Sequence, residues 1–207
     1  MQPTREEFLH IEGPAKALFY ILILGSCAYA MWRFAERAKF WRQGKPIDWR
    51  PDIPGNIVRF ILAQRKVMNA RPKSGAPMHL LIFYGFISLV VATTLLAINT
   101  YSPWKFHQGN YYLGFEAIFD FLGLFLVVGV DWALVRRGAF RPKVIVTDWR
   151  DYWALGLLLL LGLTGYVLEA ARISVNPKPW DHWSWVGASV SRMLPTIEPT
   201  AYVGIWW

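Results

Sequence analysis

Four long apolar stretches dominate the pattern of hydrophobic and polar residues along this chain. They cover residues 15–32, 78–101, 111–130 and 152–168. An α-helix needs roughly 20 apolar residues to cross a lipid bilayer, and each stretch comes close to that length. A fifth apolar stretch begins near residue 202. The pattern predicts an all-α transmembrane helix bundle with four complete spans and the start of a fifth. We expect residues 1–207 to form one membrane domain that is truncated at its own C-terminal end, as in a piece of a longer chain.

Two of the segments outside these stretches are patterned as well. Residues 55–73 place apolar side chains near one helical face and Arg59, Gln64 and Arg65 near the other. This pattern predicts a basic amphipathic helix that lies in the membrane interface. Residues 169–201 combine three tryptophans with four prolines, which predicts a cap or a short helix on the opposite membrane surface.

The composition agrees with this prediction, and the charge distribution adds the orientation of the spans in the membrane. Hydrophobic residues make up 55% of the chain and charged residues 17%, as is typical of a membrane protein. The net charge of +8 comes mainly from the loops 33–76 and 136–150. By the positive-inside bias, these loops face the cytoplasm, so we expect a multi-pass protein of the cell (inner) membrane with its N-terminus outside. A nucleic-acid partner is not expected, because the aromatic residues lie in the spans rather than among the basic ones.

His79 is the first candidate for chemistry, because it lies at the cytoplasmic start of the second span. Phe83, Gly85 and Phe86 follow it. A neutral imidazole in a helix bundle is a common ligand of b-type haem iron; Phe side chains pack on the macrocycle, and Gly lets it approach the backbone. The alternative is an interfacial histidine bonded to a carbonyl group or to water. The residue pattern alone leaves both interpretations open.

The remaining histidines cannot readily share an iron with His79. They are His10, His107 and His182. The predicted topology places all three at the opposite membrane face, roughly 30 Å away for some 20 residues of helix. A second axial histidine would therefore come from outside this sequence. Cys27 is the single cysteine, so its side chain alone supplies no iron–sulfur cluster, zinc site or disulfide.

Acidic residues within apolar helices are the second signal, since an ionised carboxylate in a bilayer costs several kcal/mol unless it is paired or hydrated. Glu116 and Asp120 are four residues apart and therefore share a helical face. With Glu169, they are candidates for accepting protons from a quinol or for orienting it. The alternatives are an interfacial pair for the first two and a structural ion pair between Glu169 and Arg172. Small residues of the fourth span, including Gly162 and Gly165, predict a helix-packing face.

Several segments, in this order, resemble a known family. They are RKVMNARPKSGAPM, HLLIFYGFISLVVATTL, DYWALGLLLLLGLTGYVLEAARIS and the terminal WW. The chain resembles the nitrate reductase gamma subunit-like cytochrome b membrane domain found in heterodisulfide-reductase-related (Fe-S)-binding membrane proteins. That group includes the quinone-linked partners of electron-transfer flavoprotein. The resemblance covers nearly the whole chain and rests on segment order and the five-span layout.

This resemblance implies a five-helix bundle that passes electrons between membrane quinone and cytoplasmic iron–sulfur centres. His79 would ligate the iron of one haem b. The family's ligand for a second haem has no match here, because the corresponding neighbourhood, residues 88–90, holds no histidine. Basic residues at the level of His79 are candidates for meeting the haem propionates. They are Arg71, Lys73, Arg136 and Arg137.

The residues and the resemblance together predict a membrane cytochrome b-type electron-transfer module, the membrane part of a quinone-linked oxidoreductase of a respiratory chain. The expected partners are the lipid bilayer, a quinone and a cytoplasmic iron–sulfur domain or subunit, with electron-transfer flavoprotein as one candidate. No iron–sulfur cluster is expected in this stretch. The alternative is a haem-free membrane anchor or scaffold, or a transporter fragment. Transporters usually show inverted repeats and helices broken at mid-membrane, and neither feature is evident here.

Overall fold

A computed structural model describes residues 2–5, 8–11, 13–45, 50–69, 73–140, 146 and 148–206. Within these ranges the regular elements are helices, apart from an isolated antiparallel bridge between Thr4 and Gln108. The predicted all-α class is therefore confirmed. The chain divides into two compact units, Phe8–Ala63 and a second that combines Met1–Glu7 with Gln64–Trp207.

The Phe8–Ala63 unit consists of one long helix and one short one. Helix α1 spans Gly13–Trp41, and none of its residues is buried. Its 29 residues extend roughly 43 Å at 1.5 Å per residue, which exceeds the thickness of a bilayer core. Helix α2 covers Ile53–Asn56 and continues as a wider π-helical turn over Ile57–Leu62.

The structure interrupts the amphipathic helix that the sequence pattern predicts over residues 55–73. The π-helical turn ends at Leu62, and Gln64 adopts a left-handed backbone conformation with φ of +48°. A residue at this φ cannot continue the α-helical hydrogen-bond ladder, so a separate short helix, α3, follows over Arg65–Met68. The basic and apolar residues are thus distributed over short pieces rather than one continuous helix.

Three long helices are the main elements of the second unit. They are α4 (Ala76–Tyr101), α5 (Gly109–Val135) and α6 (Trp149–Val175). Together with α1, they are four helices long and apolar enough to cross a membrane, which fits a multi-pass membrane protein. Each one contains a predicted span and extends beyond it at one or both ends. A π-helical turn, Arg136–Phe140, continues α5.

Small residues allow α4, α5 and α6 to pack closely. A Cβ atom on Gly85 of α4 would collide with the backbone of Leu126 on α5, so the two helices approach each other at this point. A Cβ on Gly162 of α6 would lie 2.8 Å from Cγ2 of Val127. Leu126 and Val130 are fully buried between the helices. Close contact through small residues is the usual means of helix association in a bilayer, where the surrounding lipid is as apolar as the side chains.

A cap covers one end of this three-helix bundle, where α4 ends, α5 begins and α6 ends; we call it the cap end. After α6, a short turn at Asp181–Trp183 leads into α7, Trp185–Ser191, which packs against α6 and α5. The short helix predicted within residues 169–201 is confirmed by α7. Helix α8, Pro199–Trp206, begins where the fifth apolar stretch was predicted and contacts α6.

Candidate functional site

A cavity of about 430 Å³ lies between α4, α5 and α6, toward the cap end. Its walls are mostly apolar. The larger apolar side chains are Phe86, Leu89, Val90 and Leu96 of α4, Phe115 and Phe119 of α5, and Leu161 of α6. The volume falls in the range of roughly 300–1,000 Å³ that is common for small-molecule sites.

Polar side chains gather on one side of this cavity. Glu116 and Asp120 of α5 line it together with Tyr166 and Glu169 of α6 and Arg5 of the N-terminal segment. The prediction that Glu116 and Asp120 share a helical face is confirmed. All three acidic candidates from the sequence therefore surround a single space, although they come from two helices.

The two carboxylate oxygens of Glu116 differ in their hydrogen bonding. Its side chain is only 6% exposed. Ser184 donates a hydrogen bond of 2.8 Å from Oγ to Oε2. Arg5 Nη1 lies 3.7 Å from Oε1, which is an ion pair too long to count as a good hydrogen bond. Among the residues that the structure describes, Oε1 is buried and accepts no hydrogen bond.

Asp120, in contrast, uses both carboxylate oxygens to bind the cap. Its Oδ2 accepts the backbone N–H of Val186 at 2.6 Å, and its Oδ1 accepts that of Gly187 at 3.3 Å. These N–H groups lie in the first turn of α7, where a helix has no internal acceptor for them. The hydroxyl of Tyr166 donates to the main-chain oxygen of Asp120 at 2.5 Å. Asp120 thus connects α5 to both α6 and α7.

Glu169 lies between the cavity and the cap. Its Oε1 is 3.7 Å from Nη2 of Arg172, so the ion pair suggested by the sequence is present, with both side chains largely buried. The backbone of α7 passes close by, because a Cβ on Gly187 would lie 2.7 Å from Cγ of Glu169. Glu169 therefore combines a structural contact with a place in the cavity wall.

Next to these groups, Asp181 anchors the turn before α7. Its Oδ2 accepts the N–H of Lys178 at 2.5 Å, and its side chain is buried. Burial raises the pKa of Asp181 above its ordinary value, although the Lys178 hydrogen bond opposes this shift. The cap end thus collects several buried carboxylates around the guanidinium groups of Arg5 and Arg172.

The residues proposed for haem are distributed over three environments. His79 is exposed on α4 and stacks on Phe83, with ring centroids 6.5 Å apart and planes inclined by 16°. Gly85 instead packs against α5, where any side chain would collide with the backbone of Leu126. Phe86 lines the cavity. Because Phe86 follows His79 by seven residues on α4, the cavity begins roughly 10 Å along the helix from His79.

The basic residues proposed to meet the haem propionates also lie in different surroundings. Arg136 is buried beside Gly75, with Nη1 3.4 Å from the position that a Cβ on Gly75 would take. Arg137 forms a 2.7 Å ion pair with Asp151. Lys73 is exposed at the turn that precedes α4. Arg71 lies outside the residues that the structure describes. In the described part of the chain, no three His, Cys, Asp or Glu residues are close enough to hold a metal ion.

Three contributors to the cavity and its polar side were not found from the sequence. Tyr166 precedes Glu169 by three residues, so helical spacing was a usable signal for it. Ser184 and Arg5 reach Glu116 across 68 and 111 residues of sequence, and no local pattern connects them. These two contacts depend on the folded cap and on the path of the N-terminal segment.

Comparison with known proteins identifies one informative relative. No family model matches the chain, and no solved structure matches it. The chain is 28% identical over 170 residues to the EtfAB:quinone oxidoreductase of Syntrophomonas wolfei subsp. wolfei (strain DSM 2245B / Goettingen). The match covers 80% of this chain and 24% of the relative, so the chain spans about a quarter of that protein's length. This similarity supports a quinone-oxidoreductase-related membrane protein.

Proposed function

We propose that this chain is the membrane part of a quinone-linked oxidoreductase and that the cavity binds the quinone head group. The observation that carries the proposal is the cavity itself, which has apolar walls and a cluster of carboxylate, hydroxyl and guanidinium groups on one side. The similarity to an EtfAB:quinone oxidoreductase supports the choice of ligand.

The chemistry of a quinone matches both sides of the cavity. Its ring is flat and apolar, and Phe86, Phe115 and Phe119 offer aromatic surfaces for packing. Its two oxygens accept hydrogen bonds in the quinone form and donate them in the quinol form. Quinol oxidation releases two protons and two electrons, so a site for it needs proton acceptors as well as a route for electrons. Glu116, Asp120 and Glu169 are the carboxylate residues that line the cavity.

A b-type haem would supply one-electron transfer, and His79 is the residue of this chain that would ligate its iron. Two observations fit that role. The imidazole is exposed rather than buried in packing, and Phe83 presents a ring parallel to it. Phe86 extends the same helical stripe to the cavity. The second axial ligand, and the cytoplasmic iron–sulfur centres or electron-transfer flavoprotein that would exchange electrons with the haem, remain part of the proposal.

One observation favours the alternative of a haem-free anchor or scaffold. Both oxygens of Asp120 bind backbone N–H groups of α7, so this carboxylate has a structural use that needs no ligand. A scaffold would use the whole acidic cluster in this way and would bind no quinone.

Two glycines of α6 provide a matched test. Gly165 lines the cavity and Gly156 does not, yet a Cβ would meet open space at both positions. Gly165→Leu should fill part of the cavity and weaken binding of menadione, a short-tailed naphthoquinone, by at least tenfold, whereas Gly156→Leu should leave binding unchanged. Binding can be followed by quenching of tryptophan fluorescence in the purified protein. Absence of saturable binding to the unmodified chain would favour the scaffold.

A further inference from the structure

We propose that Arg5 is a ligand-contacting residue of the cavity, donating a hydrogen bond from its guanidinium to an oxygen of the bound quinone. This inference rests on the proposed function and adds to it a residue from the N-terminal segment. Neither helix pattern nor residue spacing marks Arg5 in the sequence. Three structural features support it: the anchoring of the segment, the position of the guanidinium, and the buried carboxylate of Glu116 that pairs with it.

The N-terminal segment is anchored to the connection between α4 and α5. The carbonyl of Pro3 accepts the N–H of Gly109 at 2.9 Å, and Thr4 Oγ1 donates to the carbonyl of His107 at 3.2 Å. Thr4 and Gln108 form the isolated bridge. Arg5 follows directly, so its backbone is held at the cap end without any contribution from its own side chain.

The connection that holds this segment is itself tied to the end of α4. Asn99 Oδ1 accepts the N–H of His107 at 3.0 Å. Lys105 Nζ donates to the carbonyls of Asn99 and Thr100 at 2.6 and 2.9 Å. Because α4 forms one wall of the cavity, these bonds fix the N-terminal segment relative to that wall. A residue held in this way contacts a ligand with little further loss of conformational entropy.

The guanidinium of Arg5 lies at the cavity, and its N–H groups make no good hydrogen bond to the residues that the structure describes. Its side chain is 31% exposed, whereas the Glu116 side chain is 6% exposed. Nη1 of Arg5 lies 3.7 Å from Oε1 of Glu116, so the two charges balance, but the distance is too long for a good hydrogen bond. A guanidinium carries five N–H donors in a planar arrangement. Arg5 therefore has the donors that a quinone carbonyl needs.

Glu116 supplies the complementary group. Its Oε1 is buried and accepts no hydrogen bond within the described residues, so the charge of this carboxylate is balanced by Arg5, 3.7 Å away. The ion pair keeps the guanidinium at the cavity wall, where the exposed part of Arg5 can donate to a ligand oxygen. Arg5 would hold the quinone carbonyl, and Glu116 would hold Arg5.

The experiment compares two ligands on matched variants of the full chain. Menadione carries two ring oxygens, and methylnaphthalene has a similar ring system without them. Arg5→Gln should weaken menadione binding roughly tenfold or more, because a hydrogen bond from a charged donor is lost. Its affinity for methylnaphthalene should stay unchanged. Arg5→Lys should bind menadione more tightly than Arg5→Gln does. Adding millimolar guanidinium chloride should restore part of the menadione affinity that Arg5→Ala loses.

Arg192→Gln is the control, because Arg192 is an exposed cation at the end of α7 that does not line the cavity. It should bind both ligands as the unmodified chain does. Equal menadione affinity in Arg5→Gln and the unmodified chain would overturn the role of Arg5 while leaving the quinone site intact. An equal loss in Arg192→Gln, or a loss for methylnaphthalene as well, would also overturn it. If the unmodified chain binds no menadione, the proposed function itself fails.

Discussion

Replacing Asp120 by Asn is expected to loosen α7 from the bundle. The carboxylate is 6% exposed and accepts the N–H groups of Val186 and Gly187, neither of which has an acceptor within α7. An Asn side chain keeps one acceptor oxygen and turns an NH₂ group toward the other N–H. Loss of one charge-assisted bond, with a buried donor left unsatisfied, costs about 2–3 kcal/mol.

Hydrogen–deuterium exchange of the two amides measures this cost directly. Local opening should become roughly 30- to 150-fold more frequent for a cost of that size, since about 1.4 kcal/mol corresponds to a factor of ten. Asp131→Asn on the same helix is the matched control, because Asp131 is exposed and lies away from α7. Unchanged exchange at Val186 and Gly187 in Asp120→Asn would refute the structural role assigned to this carboxylate.

Two further predictions concern α4. Gly85→Ala should lower the melting temperature of the purified protein markedly, because the added Cβ collides with the backbone of Leu126; Gly114→Ala, which meets open space, should leave it nearly unchanged or raise it. Equal melting temperatures for the two variants would contradict the close packing of α4 on α5. His79→Phe should remove b-type haem bands from the reduced-minus-oxidised spectrum of the full-length protein, whereas His182→Phe should retain them. Retained bands in the first variant would exclude His79 as the axial ligand.

The long helices and part of the site could be predicted from the sequence because both depend on local periodicity. A run of apolar residues specifies a spanning helix whatever its neighbours are. Spacing of four residues places Glu116 and Asp120 on one face, as the structure confirms. Glu169 was predicted from its unusual place in an apolar helix, since such residues need a partner or a polar space.

Other features depend on tertiary contacts and gave no local signal. Arg5 reaches the cavity only because backbone bonds hold its segment against the α4–α5 connection. The left-handed conformation of Gln64 breaks a helix that hydrophobic periodicity favoured. Two glycines predicted to belong to a packing face of α6 both line the cavity, but only Gly162 also packs against Val127, whereas a Cβ on Gly165 would meet open space. Periodicity identifies a face but not what lies opposite each residue.

Photoaffinity labelling with an azido-substituted quinone tests the central claim most directly. The full-length protein is labelled in membranes, digested, and the modified peptides are identified by mass spectrometry. The proposed site predicts label on residues 86–96 of α4, 115–123 of α5 or 161–169 of α6, and competition by unlabelled quinone. Saturable labelling confined to other segments, or labelling that excess quinone does not reduce, would contradict the claim that this cavity binds the quinone.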